Sequence, residues 1–260
     1  MSGMRYDDAE SDRLEAVYLG VDMVAQRRHV SGLLNAQRGE GVIDIGSGPG
    51  FLAADIAAAV GPDGQVHGVD LSPQMVERAT ARNSHAWVSY AQADATAIPV
   101  EDARFDVAVS TQVAEYVLDI KAFCAEFARV MRPGGRGLVM ATDWDAMVWH
   151  TEDQPRMNRM LEAFGAHCAD RRLPRTLGAR LADAGLRVTG VDVFPVVNTS
   201  PYEGSYSAGL IPFVDGYVGG ASALGAEERA AWRQEQADLA ARGAYFFATQ
   251  RFSFLVQKPE

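Results

Sequence analysis

The sequence has little of several features that mark common protein classes. Only 2 of its 260 residues are cysteine, which excludes a disulfide framework or a cysteine-rich metal site. Basic residues number 24 against 34 acidic ones, and no basic run is longer than Arg171-Arg172, so we expect no nucleic-acid partner. No apolar run reaches membrane-spanning length, and the stretch MSGMRYDDAESDR has no apolar signal core. We therefore expect a cytoplasmic protein with no membrane partner and no bound metal.

Strand and helix patterns alternate from about residue 40 onward, which predicts a parallel sheet with helices on both faces. The expected strands are 41–45, 65–69, 87–92, 105–110, 136–141, 187–194 and 250–257. The last of them alternates apolar and polar residues in the manner of an edge strand. The predicted fold class is α/β, with a doubly wound, mostly parallel seven-stranded sheet.

Two segments do not fit the alternating pattern. Residues 1–40 are helical in pattern, and we interpret them as an N-terminal helical lid. Residues 198–248 form a long insertion, with the aromatic stretch SPYEGSYSAGLIPFVDGYVGG followed by a charged helix. Because long insertions in compact domains are usually functional or disordered, we interpret this one as a cap. The core domain then comprises residues 41–197 and 249–260.

The stretch VIDIGSGPGFLAADI joins the first strand to a helix through a glycine-rich loop. Its third glycine comes one position too early for the dinucleotide fingerprint, and it lacks the Gly-Lys-Ser/Thr ending of a P-loop. Asp44 lies two residues before Gly46, and its carboxylate would repel a pyrophosphate but attract an ammonium group. The loop therefore predicts a ligand with a positive charge and no phosphate, and S-adenosylmethionine meets that demand.

Polar residues follow the other strands at the edge where open α/β sheets bind ligands. Asp70 ends the second strand and could accept from both ribose hydroxyls. Asp94 follows the third strand and could accept from the adenine amino group, although a turn role is equally open. Thr111 and Gln112 follow the fourth strand and would lie beside the methionine end of the cofactor.

Four segments, VIDIGSGPG, VDLSPQMVERA, AQADATAIP and FDVAVSTQVAEYVLD, carry a family resemblance. In order and spacing they resemble the motifs of class I S-adenosylmethionine-dependent methyltransferases, most of all the small-molecule branch with the ubiquinone and menaquinone methyltransferases. The resemblance covers residues 41–143. It implies a Rossmann-like methyltransferase fold, S-adenosylmethionine as cofactor and S-adenosylhomocysteine as product. It implies cofactor contacts at Asp44, Gly46, Gly48, Asp70, Leu71, Asp94 and Ala95.

Further cofactor candidates come from position alone. Ser47 belongs to the loop, Met75 could pack on adenine or in the core, and Tyr18 could close over the methyl donor or simply pack.

Methyl transfer is an in-line displacement, so the protein has to hold the nucleophile near the methyl carbon and exclude water. The catalytic candidates follow the fourth and fifth strands: Glu115, Tyr116, Asp143 and His150. Glu115 could be a base or the counter-ion of a cationic acceptor, and equally a helix-start carboxylate. Many relatives have two histidines at positions 115 and 116, so a histidine base is not carried over.

The substrate-binding candidates are aromatic: Trp144, Trp149, Tyr206 and Phe213. A pocket of this composition predicts a small, planar, largely apolar acceptor, methylated on carbon, nitrogen or oxygen. An indole-type ring carbon is one specific hypothesis. Trp149 could also be ordinary core, and His150 and His167 could be structural.

Several alternatives can be weighed against these patterns. An arsenite methyltransferase would need more thiolates, and a nucleic-acid amino-methyltransferase would carry N/D-P-P-Y where this chain has Ser110-Thr111-Gln112-Val113. Aminopropyl transfer, a nicotinamide-dependent oxidoreductase, and a non-catalytic cofactor-binding regulator or scaffold stay open. A monomer and a homodimer are both compatible with the sequence.

Overall fold

An eight-stranded sheet with helices on both faces forms the centre of the computed structural model, which describes residue 12 and residues 15–260. The strands are β1 (Gly41–Ile45), β2 (Gln65–Asp70), β3 (Val88–Gln92), β4 (Phe105–Thr111), β5 (Met131–Thr142), β6 (Val148–Trp149), β7 (Arg187–Asn198) and β8 (Phe247–Gln257). The helices are α1 (Val21–Leu34), α2 (Phe51–Val60), α3 (Pro73–Arg82), α4 (Ile120–Val130), α5 (Gln154–Phe164), α6 (Pro174–Asp183), α7 (Tyr206–Gly220) and α8 (Ala226–Ala241).

The strand order is β3-β2-β1-β4-β5-β8-β6, and β7 pairs with β8. Strands β1 to β5 are parallel, whereas β8 runs antiparallel to β5, β6 and β7. The predicted doubly wound, mostly parallel α/β fold is confirmed, and the two-residue β6 is added to the seven expected strands. The predicted edge position of the last strand is wrong, because β8 lies between β5 and β7.

Three hydrophobic clusters divide the interior. One lies on the sheet face covered by α1 and α2, and a second on the opposite face beneath α4 and α6. The third lies under the cap and joins α7 and α8 to α5 and to the segment around Trp144 and Trp149. The structure therefore groups α5 with the cap, although the predicted boundaries placed it in the core domain.

The lid helix α1 contacts both the sheet and the cap. Val30 and Leu34 are buried against the sheet, while at the start of the helix Val21 N donates to Gly204 O at 3.1 Å. The Asp22 carboxylate accepts from Tyr206 N at 2.7 Å and from Asn198 Nδ2 at 3.0 Å. Residues 1–11, 13 and 14 of the predicted lid lie outside the described residues.

The helices are short relative to a bilayer. Among the residues that the structure describes, none combines the length and the apolar character that crossing a membrane would require.

Candidate functional site

The glycine-rich loop is pressed against the end of β2. Gly46 N and Ser47 N both donate to Val69 O, at 2.7 and 2.9 Å. Gly46 has φ +77°, and a Cβ there would lie 2.1 Å from Val113 Cγ2, so only glycine fits this position. Gly48 also has a positive φ, and α2 begins directly after Gly50. The loop thus turns sharply at the edge of the sheet where β1 and β2 end.

Asp44 is a buried carboxylate on β1, just before this loop. Its side chain is 1% exposed, and within the described part of the chain Oδ2 has no hydrogen-bond partner. Burial, with a smaller contribution from the charge of Asp70, raises the pKa of Asp44 to about 7. An unpaired buried carboxylate is costly unless a cation comes to it.

Asp70 at the end of β2 links the glycine-rich loop to the start of α3. Its Oδ2 accepts from Gly48 N at 2.8 Å and its Oδ1 from Ser72 N at 2.9 Å. Burial raises the pKa of Asp70, although these hydrogen bonds act to lower it. Asp70 therefore shapes the loop, and its role as a partner of the ribose hydroxyls stays a prediction.

The predicted adenine side of the site lies around β3 and α3. Met75 is buried on α3, whose N-cap Ser72 accepts from Met75 N, and Leu71 is 44% exposed. Asp94 Oδ1 accepts from the amide and the hydroxyl of Thr96, at 2.9 and 2.7 Å. The turn role of Asp94 is thus present, and Ala95 follows it half-buried.

Tyr18 lies over the glycine-rich loop. Its ring centroid is 6.1 Å from that of Phe51, and its hydroxyl lies 4.0 Å from where a Gly48 Cβ would be. Arg27 and Arg82 place their guanidinium groups 4.9 and 3.8 Å from the Phe51 ring centroid. The lid therefore reaches the loop, as the cofactor prediction for Tyr18 requires.

At the end of β4 the chain makes a strained turn next to β5. Gln112 has φ +59°, and its Oε1 accepts from Thr142 Oγ1 at 2.7 Å. Its Nε2 has no partner among residues 15–260. The neighbouring Thr111 is the last residue of β4 and half-buried. Strained backbone of this kind persists where the surroundings hold it, often at functional sites.

Glu115 is fully buried at the edge of the sheet where the parallel strands end. Its Oε1 accepts from Thr142 N at 3.2 Å, and Oε2 is unpaired in the described structure. Burial raises the pKa of Glu115 to about 7, although the hydrogen bond from Thr142 and the charge of Arg251 act to lower it. A carboxyl group with a pKa near neutrality can exchange a proton at physiological pH.

Tyr116 belongs to an aromatic cluster that includes a histidine. The His167 ring lies edge-on to Tyr116 and Trp144, with centroids 5.7 and 4.7 Å apart, and stacks on Phe164 at 4.0 Å. Phe213, 38% exposed, lies at the rim with its ring edge-on to His167. The cluster adjoins Glu115, whose backbone oxygen accepts from Ala169 N and Asp170 N.

The structural role predicted for His167 leaves its Nε2 free to accept a hydrogen bond. Nδ1 is 2.7 Å from Phe164 O, which can only accept, so Nδ1 carries the proton and Nε2 the lone pair. That Nε2 is buried without a partner in the part of the chain described. Burial lowers the pKa of His167 to about 4. The ring is therefore a neutral hydrogen-bond acceptor beside Tyr116.

Two of the predicted catalytic residues, Asp143 and His150, have surroundings that differ from those of Glu115. Arg175 pairs with both oxygens of Asp143 at 2.7 and 3.1 Å, so this carboxylate serves an ion pair. His150 is exposed, and its backbone N donates to Phe246 O. Asp143 directly follows Thr142, whose backbone N donates to Glu115 Oε1, but the carboxylate of Asp143 is held by Arg175.

Trp149 and Tyr206 lie deeper in the cap than predicted. The Trp149 ring packs edge-on against Trp232 and Phe247, with centroids 5.3 and 5.0 Å apart, so Trp149 is core of the cap. Tyr206 covers a buried cation, with Arg251 Cζ 4.5 Å from its ring centroid. Arg251 was missed in the sequence, where an arginine in an alternating strand reads as solvent-exposed.

The segment that holds the glycine-rich loop, Asp70 and Glu115 matches a known family. A model described as a methyltransferase domain matches residues 43–139. The chain contains a class I methyltransferase domain. The resemblance deduced from the four motifs is thereby confirmed.

The chain matches only part of the length of its relatives. An uncharacterized 37.1 kDa protein in transposon TN4556 of Streptomyces fradiae is 33% identical over 200 residues, covering 74% of this chain and 57% of that protein. A malonyl-[acyl-carrier protein] O-methyltransferase of Hahella chejuensis is 34% identical over 128 residues, covering 47% and 46%. The chain thus spans about half the length of these curated relatives.

A solved structure supports the methyltransferase fold. Phosphoethanolamine N-methyltransferase 2 of Haemonchus contortus, in complex with S-adenosyl-L-methionine, has a TM-score of 0.63 at 18% identity, covering 99% of this chain and 58% of that one.

The residues of this chain fit S-adenosylmethionine on physical grounds. The unpaired Asp44 carboxylate suits a positive group, and Gly46, where a Cβ would collide with Val113, lets the loop make its sharp turn beside this carboxylate. No phosphate-binding cation comes from the loop itself, GSGPG.

Proposed function

We propose that this domain transfers a methyl group from S-adenosylmethionine to a small, aromatic acceptor. The observation that carries the proposal is the buried Asp44 carboxylate, unpaired in the described chain, beside a loop that only glycine can form. A bound cation would remove the free-energy penalty of that carboxylate, and the cofactor has one in its α-ammonium group.

Each part of the edge has a task in this proposal. Asp44 would hold the ammonium group, Asp70 the ribose hydroxyls, and Asp94 the adenine amino group. The cofactor supplies an electrophilic methyl group, and the chain orients the acceptor and keeps water out. Tyr18 and α1 would close over the loop, since both contact it or the cap.

Glu115 would lie beside the reacting group of the acceptor. Its pKa of about 7 lets it take a proton from a phenol or an ammonium, or balance a ring carbon that becomes cationic. The aromatic cluster around His167 favours a planar acceptor, with the indole-type ring carbon as one specific form. Methylation on carbon, nitrogen or oxygen, the cytoplasmic location, and the monomer or homodimer all stay predictions.

The test is calorimetric titration of the purified protein with S-adenosylmethionine, with Asp70→Ala and Asp44→Asn as variants. We expect wild-type binding in the micromolar range and a loss of at least about tenfold in either variant, since each removes a buried charged partner. Asp63→Asn is the control, because that carboxylate is 69% exposed and its ion pair in the described part of the chain is with Arg38.

Two results would contradict the proposal. Binding of NADH instead of S-adenosylmethionine would favour the oxidoreductase alternative. Binding of S-adenosylmethionine without methyl transfer to any indole, quinol or phenol in a screen with radiolabelled cofactor would favour a non-catalytic binding protein.

A further inference from the structure

Arg251 is a cation buried at the ligand-binding edge of the sheet. It is 1% exposed and lies on β8 opposite Thr142, the last residue of β5. Thr142 N is also the donor to Glu115 Oε1. Arg251 therefore stands one strand beyond the group that we place at the reaction centre.

The guanidinium has poor partners for a buried charge. Nη1 donates to Met23 Sδ at 3.1 Å, and a thioether is a weak acceptor. Nε has no partner, and no Asp or Glu lies within 4.0 Å, among residue 12 and residues 15–260. The Tyr206 ring covers one face of the group. The charge of Arg251 acts to lower the pKa of Glu115, yet the two groups form no ion pair in the described structure, so a bound anion would offset the cost of burying this cation.

Other unpaired polar groups share this face of β8. Thr249 and Ser253 lie two residues to either side of Arg251, so their side chains point to the same face. Both hydroxyls are buried without partners within the described structure, as is Gln26 Oε1 on α1, one turn after Met23. Two hydroxyls and a guanidinium together form a donor set for an oxyanion.

The groups that cover Arg251 belong to the lid and the cap rather than to the sheet. Met23 is on the lid helix α1 and Tyr206 begins the cap helix α7. The Asp22 carboxylate joins these two helices by accepting from Tyr206 N. A ligand that parts the lid from the cap would therefore reach the guanidinium.

We propose that Arg251 binds a carboxylate, and that the acceptor of the proposed reaction is consequently an aromatic acid. The inference rests on the proposed function. A carboxylate matches the planar guanidinium in a two-point contact. A doubly charged phosphate is disfavoured because Asp44, Asp70 and Glu115 already make this edge acidic. The methionine carboxylate of the cofactor is the other source of the same chemistry.

Calorimetric titration with small probes tests the inference. The probes are benzoate and phenylacetate with their neutral amides, each with and without S-adenosylhomocysteine. Arg251→Met removes the charge, Arg251→Lys keeps it without the planar fork, and Arg187→Met is the control at the exposed far end of β7. Thermal unfolding checks that each variant folds. Replacing a buried charge with an apolar side chain usually leaves a protein folded.

The outcomes separate the two sources of the carboxylate. If the acceptor supplies it, the wild type binds a carboxylate at least about tenfold more tightly than its amide, Arg251→Met abolishes the difference, and S-adenosylhomocysteine affinity is unchanged. If the cofactor supplies it, Arg251→Met weakens S-adenosylhomocysteine by at least about tenfold but leaves 5′-methylthioadenosine, which lacks the amino-acid part, unaffected. The second result supports carboxylate binding and overturns the aromatic acid.

Two further results overturn the inference in different ways. If carboxylates and S-adenosylhomocysteine bind wild type and Arg251→Met alike, or if no carboxylate binds and cofactor affinity is independent of Arg251, the cation is structural. If the wild type binds no S-adenosylhomocysteine or S-adenosylmethionine at all, the proposed function fails instead, and the titrations without cofactor still decide whether Arg251 binds a carboxylate.

Discussion

Replacing Asp44 with asparagine should stabilise the ligand-free protein at pH 8 while weakening its binding of S-adenosylmethionine. The pKa of Asp44 is raised from 3.8 to about 7, so ionising it in the folded state costs about 4 kcal/mol at 1.36 kcal/mol per pKa unit. The folded form binds the proton more tightly than the unfolded one, so stability falls as pH rises from about 4 and the loss is complete above about 7. Because the amide is itself buried, we expect Asp44→Asn to recover only about 1–3 kcal/mol.

Urea unfolding at pH 5 and pH 8 measures this gain, with Asp63→Asn as the exposed control. The advantage of Asp44→Asn over the wild type should be larger at pH 8 than at pH 5, because less of Asp44 is ionised in the fold at pH 5. The control should show no such change. An equal margin at both pH values, or a variant less stable than the wild type at pH 8, would show that Asp44 is not an unpaired anion in the fold and would refute the reasoning.

Three further predictions follow from the same contacts. Glu115→Gln should reduce the loss of unfolding free energy between pH 5 and pH 8, because the pKa of Glu115 is raised to about 7; an unchanged difference in urea unfolding would contradict this. Gly46→Ala should destabilise by about 2 kcal/mol or more, through its positive φ and the collision with Val113, whereas Gly39→Ala, with φ +86° and nothing within 4 Å, should lose only about 1 kcal/mol; equal losses in urea unfolding would contradict the collision. Calorimetric affinity for S-adenosylmethionine should rise as pH increases from 5 to 7, by up to about tenfold per unit, because Asp44 must ionise to hold a cation; a flat profile would remove Asp44 from the cofactor site.

The parts of the fold that could be predicted are those whose signals are local in the chain. Strands β1 and β4 are short, mainly apolar runs, and each is followed within a few residues by its polar or glycine-rich turn. Ser72 and Pro73 begin α3 as expected, with the Ser72 hydroxyl accepting from Met75 N. Because parallel strands bring their carboxyl ends to one edge, Asp44, Asp70 and Glu115 could be assembled without knowing any long-range contact.

The position of β8 could not be predicted because alternation of polarity marks a solvent-exposed face only where nothing covers that face. One face of β8 carries the apolar Ala248, Phe252 and Phe254 together with the exposed Gln250, while Thr249, Arg251 and Ser253 lie on the other face. In the fold, α1 covers them, and Met23 contacts the guanidinium. That contact joins residues more than two hundred positions apart, and no local pattern contains it.

Trp149 illustrates a second limit of local patterns. A residue soon after β5 is expected near the acceptor, since β5 ends at the binding edge. Instead the two-residue β6 pairs Trp149 with Phe247 at the start of β8, which carries the ring under α8 and into the cap core. His150 follows it to the surface. The pairing of β6 depends on where the insertion returns to the sheet, and that is set by packing within the cap.

The order of the buried charged groups across the sheet bears on the orientation of the cofactor and the acceptor. Going across the sheet, Asp70 follows β2, Asp44 is on β1, Glu115 follows β4 and Arg251 is on β8, so acidic groups give way to a cation. A fold gains nothing by burying such charges without partners, and ligands of complementary charge would remove that penalty. In the proposed function, the ammonium group of the cofactor would then lie over β1 and the carboxylate of the acceptor over β8. Between them the methyl group would pass beside Glu115, whose pKa of about 7 would suit the handling of a proton there.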